Sequence, residues 1–201
     1  MENNLEKFLE LYSSSREDDS WDFKEKIELN SKSQKYNFIK DLLAMSNFGG
    51  GYILIGVNKD NRTIIDVEIE HDPANVGTMV EKNLGFGVLF NIGYFYHDFG
   101  QGTKKVGLIS VLPSPELLVC PFDLQIEDGK TIVVRENDIL YRRNTRSIKA
   151  NRQDIEKIYE RIKKNQSKEI GQMKIADIGL ISQNHSMVRT ENNSVINIIR
   201  K

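Results

Sequence analysis

Apolar residues recur along this chain with two different periods, and each change of period marks an element. Leu5, Phe8, Leu9 and Tyr12 share one helical face, so the spacing predicts a short amphipathic helix that ends in Ser13-Ser14-Ser15. Residues 20–27 alternate instead. A strand there puts Trp21, Phe23 and Ile27 on one face and Asp22, Lys24 and Lys26 on the other. Ser31 or Ser33 then caps a second helix with the stripe Tyr36, Ile39, Leu42, Leu43 and Met45, stopped by Asn47 and Gly49-Gly50-Gly51. Tyr52 to Val57 is a near-continuous apolar run of the length of a buried strand, followed by a turn over Asn58 to Arg62 and a hairpin partner at Thr63 to Val67.

Asp72-Pro73 starts a third helix that runs to about Asn83. Residues 86–97 and 104–111 read as strands joined through Gly100-Gln101-Gly102, and Val133–Arg135 with Ile139–Arg142 as a hairpin about Glu136-Asn137-Asp138. A last helix carries Ile155, Ile158, Tyr159 and Ile162. Strands and helices mix without regular βαβ alternation, so the expected class is α+β: a mixed, mainly antiparallel sheet with helices packed on it. This gives one domain over residues 1–164. Residues 165–201 lose a clear period and read as a linker and tail, in which Ser194–Ile199 has the composition of an edge strand for this chain or a protein partner, a second copy included.

Charge changes the picture locally rather than globally. With 28 basic and 29 acidic side chains the net charge is −1, so any attraction for a polyanion has to come from clustering. No apolar run approaches a membrane span, and the first residues lack the pattern of a signal peptide, so no membrane association and a cytoplasmic location are expected. Cys120 is the only cysteine, which removes disulfide frameworks and cysteine-rich zinc sites within the chain. His71, His97 and His185 lack metal-ligand spacing.

Two constellations carry candidate chemistry. Glu17 and Asp22, on the approach to and within the first strand, read either as solvated strand-end carboxylates or as oxygen donors facing one cavity, with Asp60 a third if the two strand ends are neighbours. Mg²⁺ or Mn²⁺ needs few carboxylates when substrate phosphates complete its shell. Lys24 beside them would stabilise a scissile phosphate or leaving oxygen. The second constellation is Arg142, Arg143, Arg146, Lys149 and Arg152, which read either as a phosphate-tracking patch or as a solvated basic loop. Strand alternation sends Arg142 outward where Tyr141 is buried. Lys26 and Lys59 add to the basic set. The run Asn47, Gly49, Gly50 and Gly51 reads either as a helix-capping turn or as an anion-binding nest for a nucleotide phosphate, and no P-loop motif accompanies it.

Asp22-Phe23-Lys24 preceded by Glu17, Ala44-Met45-Ser46-Asn47-Phe48-Gly49-Gly50, Ile55-Gly56-Val57-Asn58-Lys59-Asp60 and Tyr141-Arg142-Arg143 occur in an order that resembles the Schlafen-type AlbA_2 family over roughly residues 10–163. The resemblance implies an α+β nucleic-acid-binding domain, sometimes labelled a divergent ATP-binding domain. In nuclease members three acidic residues are associated with metal-dependent cleavage of RNA, notably transfer RNA, in a defence or stress context. Glu17 and Asp22 match the first two. The usual second acidic position after Gly-Val holds Lys59 here, and Asp60 fills it only by a one-residue shift. The resemblance therefore implies a metal-dependent endonuclease on RNA or single-stranded DNA, or, through Lys59, a binding module without catalysis. A nucleotide sensor built on the glycine turn is the third reading.

Overall fold

A computed structural model describes residues 1–14, 17–100, 102–126 and 129–167 of this protein, so Ser194–Ile199 and His185 lie outside the described residues. The chain divides into two units, Met1–Tyr159 and Glu160–Lys201. The first holds every strand named below. In the second, residues 160–167 are helical.

Helix α1 (Leu5–Ser13) starts where Asn4 accepts the Lys7 N–H, and strand β1 (Trp21–Lys24) follows. Helix α2 (Lys32–Phe48) begins with a complete capping box between Ser31 and Gln34 and ends at Gly49, whose φ of 137° only glycine adopts readily. Strand β2 (Gly51–Ile55) returns parallel to β1, pairing Asp22 with Ile53 and Lys24 with Ile55. Helix α3 (Pro73–Leu84) is capped by Asp72 and closed by Gly85 in the left-handed conformation. Strands β3 (Phe90–Asp98) and β4 (Thr103–Val111) complete an antiparallel hairpin, giving the sheet order β1-β2-β4-β3.

β2 is apolar throughout because both faces of the sheet are covered. Ile53 and Ile55 join Phe38, Leu42, Met45 and Val80 beneath α2 and α3, while Leu54 joins Phe8, Leu11, Trp21 and Phe23 beneath α1. On β1 the same alternation sends Asp22 and Lys24 to the α2 side, away from Trp21 and Phe23. The polar face of β1 is thus overlaid by protein rather than by water. Ile27 belongs to the α2 cluster, not to the Trp21 and Phe23 face expected for it, because β1 ends at Lys24 and the alternation ends with it.

Two further hairpins cross-brace α2. β5 (Leu124–Gln125) pairs with β6 (Ile132–Val134), and β7 (Leu140–Arg143) pairs with β8 (Arg146–Lys149), α2 packing against β7 and β8. The expected hairpin of Val133–Arg135 with Ile139–Arg142 is therefore replaced by two others. The decisive turn is Asn144-Thr145, with φ of 50° and 60°, the conformation of a tight two-residue hairpin turn without its usual glycine. Thr63–Val67 pairs back as expected but only briefly, through the antiparallel bridge of Ile64 to Val57, with the Asn58 N–H donating to the Thr63 carbonyl at 2.9 Å and the Ile65 N–H to the Gly56 carbonyl at 2.7 Å. Residues 152–159 are helical, with Ile158 buried and Tyr159 48% exposed, so Tyr159 leaves the predicted apolar stripe.

Candidate nucleic-acid interface

The overlay on β1 builds a chain of charges. Asp22 is 4% exposed, and its Oδ2 accepts from the Lys24 Nζ at 3.0 Å. The same ammonium reaches Asp41 Oδ2 on α2 at 2.8 Å, and Asp41 Oδ1 accepts from the Ser147 hydroxyl of β8 at 2.7 Å. Arg142 closes the cluster from β7: its Nη2 donates to the Trp21 carbonyl at 3.2 Å and its Nε to the Asp19 carbonyl at 3.4 Å. The Thr145 N–H donates to Asp19 Oδ1 at 2.9 Å, so the turn of the hairpin is fastened to the start of β1 as well.

These neighbours set the protonation of the pair. Burial alone raises the Asp22 pKa, but the charge and hydrogen bond of Lys24, joined by the Arg142 and Lys59 charges, outweigh it and hold the carboxyl below its ordinary range. Burial likewise works against charge on Lys24, and Asp41 and Asp22 overcome it and raise the ammonium above the ordinary lysine range. Both groups are charged at neutral pH. Lys24 is consequently engaged by two carboxylates and does not present a free ammonium to a phosphate.

Glu17 and Asp22 are brought together, as their spacing predicted, but around a lysine. Lys59 Nζ lies 3.7 Å from Glu17 Oε2 and 3.4 Å from Asp22 Oδ1. Asp60 is exposed in the turn, where its N–H donates to Asn58 Oδ1, and it does not join them. Among the described residues no three His, Cys, Asp or Glu side chains converge on a point that would hold a cation. The residues present therefore do not fit a three-carboxylate Mg²⁺ or Mn²⁺ centre. A one-residue shift in a turn turned Asp60 away, and an ammonium stands in the gap.

Beside this cluster opens a cleft of about 470 Å³. Lys24, Lys40, Lys59, Arg142 and Arg146 line it against only two carboxylates, Asp22 and Asp41. Lys40 and Arg146 form no ion pair among the described residues, and Arg146 is exposed. The protein's near-neutral charge thus conceals a cationic recess. Lys40 and Asp41 are the charged members to which sequence reading assigned no role. A signal existed for Asp41, which lies three residues after Phe38 and four before Met45, on the buried flank of α2, where a carboxylate needs a partner.

The other predicted residues disperse. Arg142 is 1% exposed and serves as an internal anchor, contrary to its expected outward position, because α2 covers β7 and the guanidinium reaches the Trp21 carbonyl of β1. Arg143 pairs with Asp154, Lys149 with Asp138 at 2.5 Å, and Arg152 with Glu156 at 3.0 Å. Lys26 pairs with Glu28 at 2.5 Å. The glycine turn is structural. Asn47 is fully buried, its Nδ2 donating to the Leu118 and Leu140 carbonyls and its Oδ1 accepting the Leu118 N–H. The N–H groups of Gly49 and Gly50 both return to the Met45 carbonyl, and a Cβ at Gly51 would lie 2.5 Å from the Ser20 carbonyl oxygen. The Gly49 and Gly50 amides are thus satisfied inside the protein, which favours the helix-capping reading of the turn.

The family model described as Schlafen, AlbA_2 matches residues 17–169, which include β1, the glycine turn and the β7–β8 hairpin. The chain belongs to the Schlafen AlbA_2 family. AlbA_2 membership points to nucleic acid as the class of ligand and agrees with the α+β architecture. None of the curated proteins matches this AlbA_2 chain. Among solved structures it is similar to the DIP2311 protein from Corynebacterium diphtheriae, at 16% identity and a TM-score of 0.44, over 74% of this chain and 31% of that one. That likeness is too low to carry an argument. No helix among the described residues is long and apolar enough to cross a membrane.

Proposed function

We propose that this AlbA_2 domain binds RNA or single-stranded DNA by its phosphate backbone in the cleft, and holds the strand without cutting it. Lys40, Lys59 and Arg146 are the groups that neutralise phosphates. The Asp22–Lys24–Asp41 chain and Arg142 form the rigid floor that positions them. The observation that carries this reading is the surplus of five cations over two carboxylates, with Lys40 and Arg146 free of acidic partners among the described residues. Cations that are free or loosely paired displace the counterions condensed on a phosphate backbone, whereas lysines held in short pairs with protein carboxylates gain little.

Retention rather than cleavage follows from the floor. Lys24 is committed to Asp22 and Asp41, and the oxygens of Glu17 and Asp22 face an ammonium, so these described residues are already engaged with one another, which supports retention over activation of water or capture of a metal. Fluorescence anisotropy with labelled transfer RNA and with single-stranded oligonucleotides, in EDTA, tests the reading. Binding is expected, with a loss of about tenfold or more in a Lys40→Glu/Arg146→Glu variant at low salt. Undiminished binding by that variant would remove the cleft from the interface. Metal-dependent product, lost on Asp22→Ala, would replace retention with cleavage.

A further inference from the structure

The two carboxylates beside Lys59 have each committed one oxygen to the protein. Glu17 Oε1 accepts the Phe23 N–H at 2.9 Å, and Asp22 Oδ2 accepts from Lys24 at 3.0 Å. The remaining oxygen of each, Glu17 Oε2 and Asp22 Oδ1, faces the same Lys59 ammonium. Such a pair of oxygens is what a divalent ion would bridge, and here the point between them is filled by a covalently attached charge. Lys59 is also the loosest member of the group. Its side chain is 60% exposed, its contacts of 3.4 and 3.7 Å are long for ion pairs, and it stems from the 58–62 turn rather than from a strand.

We propose that Lys59 is the resident cation of this site: it takes the place of a divalent metal between Glu17 and Asp22, and swings from these carboxylates onto a nucleic-acid phosphate entering the cleft. A divalent ion approaching the same oxygens meets Lys24 on the other oxygen of Asp22 and Arg142 behind it, so it has to displace one cation and tolerate two more. The ammonium needs no such displacement to reach a phosphate, because it already lines the cleft. The metal-excluding half of the proposal stands on geometry alone; only the transfer to phosphate rests on the nucleic-acid reading of the cleft.

Mn²⁺ titration followed by electron paramagnetic resonance of the free ion tests the first half with no nucleic acid present. The full chain is expected to bind no Mn²⁺ saturably at millimolar ion. Lys59→Glu, or Lys59→Asp if the former does not fold by circular dichroism, is expected to gain one ion at roughly 10⁻⁴ to 10⁻³ M, the weak end of carboxylate sites. Adding Glu17→Gln to that variant should abolish the gain. Saturable Mn²⁺ binding by the unmodified chain that is lost in Asp22→Asn, or no gain in either folded acidic variant, overturns the proposal. For the second half, the affinity for transfer RNA is expected to be equal in EDTA and in Mn²⁺, to fall roughly fivefold in Lys59→Met and to recover in Lys59→Arg. An affinity unaffected by Lys59→Met removes the transfer step. Failure of the unmodified chain to bind nucleic acid at all removes the functional reading of the cleft and leaves the Mn²⁺ result standing.

Discussion

Arg142 points from β7 into the protein and donates to the carbonyls of Trp21 and Asp19, whereas Arg146, on the other arm of the same hairpin, is exposed and lines the cleft. The two guanidinium groups carry one charge each and lie one turn apart, yet only one is available to a ligand. The same division runs through the whole site. Asp22, Lys24, Asp41 and Arg142 form an interior lock that fastens β1, α2 and the β7–β8 hairpin, and Lys40, Lys59 and Arg146 form a rim. A basic run in a sequence is therefore not a basic surface. Which of its members reach a ligand depends on where the hairpin turns and on which carboxylates the neighbouring elements bring up.

The largest effect is expected on the lock. Arg142→Met leaves Asp22 short of a charge partner and removes the side-chain donor to the Trp21 and Asp19 carbonyls, and should lower stability by about 3–5 kcal/mol in urea unfolding. Arg146→Ala should stay within about 0.5 kcal/mol. Equal effects from the two substitutions would dissolve the distinction between lock and rim. Next in size is Asn47→Ala, which strands the buried Leu118 and Leu140 groups and is expected to cost about 2–3 kcal/mol while leaving affinity for nucleic acid or ATP unaltered. A specific loss of nucleotide binding there would restore the glycine turn as a ligand loop.

Acid sharpens the same contrast. The Asp22 pKa is held below its ordinary 3.8 in the folded chain, so its contribution is complete above that value and disappears as pH falls through the lower folded one. Stability followed by circular dichroism should therefore drop on acidification below about pH 4, and Asp22→Asn, already less stable at pH 7, should flatten that limb. An unchanged acid limb in the variant would mean that Lys24 and Arg142 do not stabilise the carboxylate. The smallest effect belongs to the paired outer cations. Lys149→Ala and Arg152→Ala should each alter nucleic-acid affinity by less than about twofold, since both already pair with carboxylates.

Much of this arrangement was legible in the sequence. The caps at Ser31 and Asp72, the burial of β2 and the approach of Glu17 to Asp22 follow from local pattern and strand parity. What local pattern missed depends on contacts distant in sequence. Asp41 meets Lys24 and Ser147 across 17 and 106 positions. The inward position of Arg142 was missed because the Asn144-Thr145 turn, lacking a glycine, concealed the true hairpin. Lys59 was legible as a departure from the acidic pattern, but its bridging of Glu17 and Asp22 emerges only once the ends of β1 and β2 are placed side by side.

The salt dependence of binding to a single-stranded oligonucleotide tests the central claim most directly. If Lys40, Lys59 and Arg146 each neutralise one phosphate, log Kd against log salt should have a slope of magnitude about 2 for the unmodified chain and about 0.7 for Lys40→Glu/Arg146→Glu, with both proteins equally stable. The same slope in the two proteins would show that the strand is held elsewhere and that the cleft is not the interface.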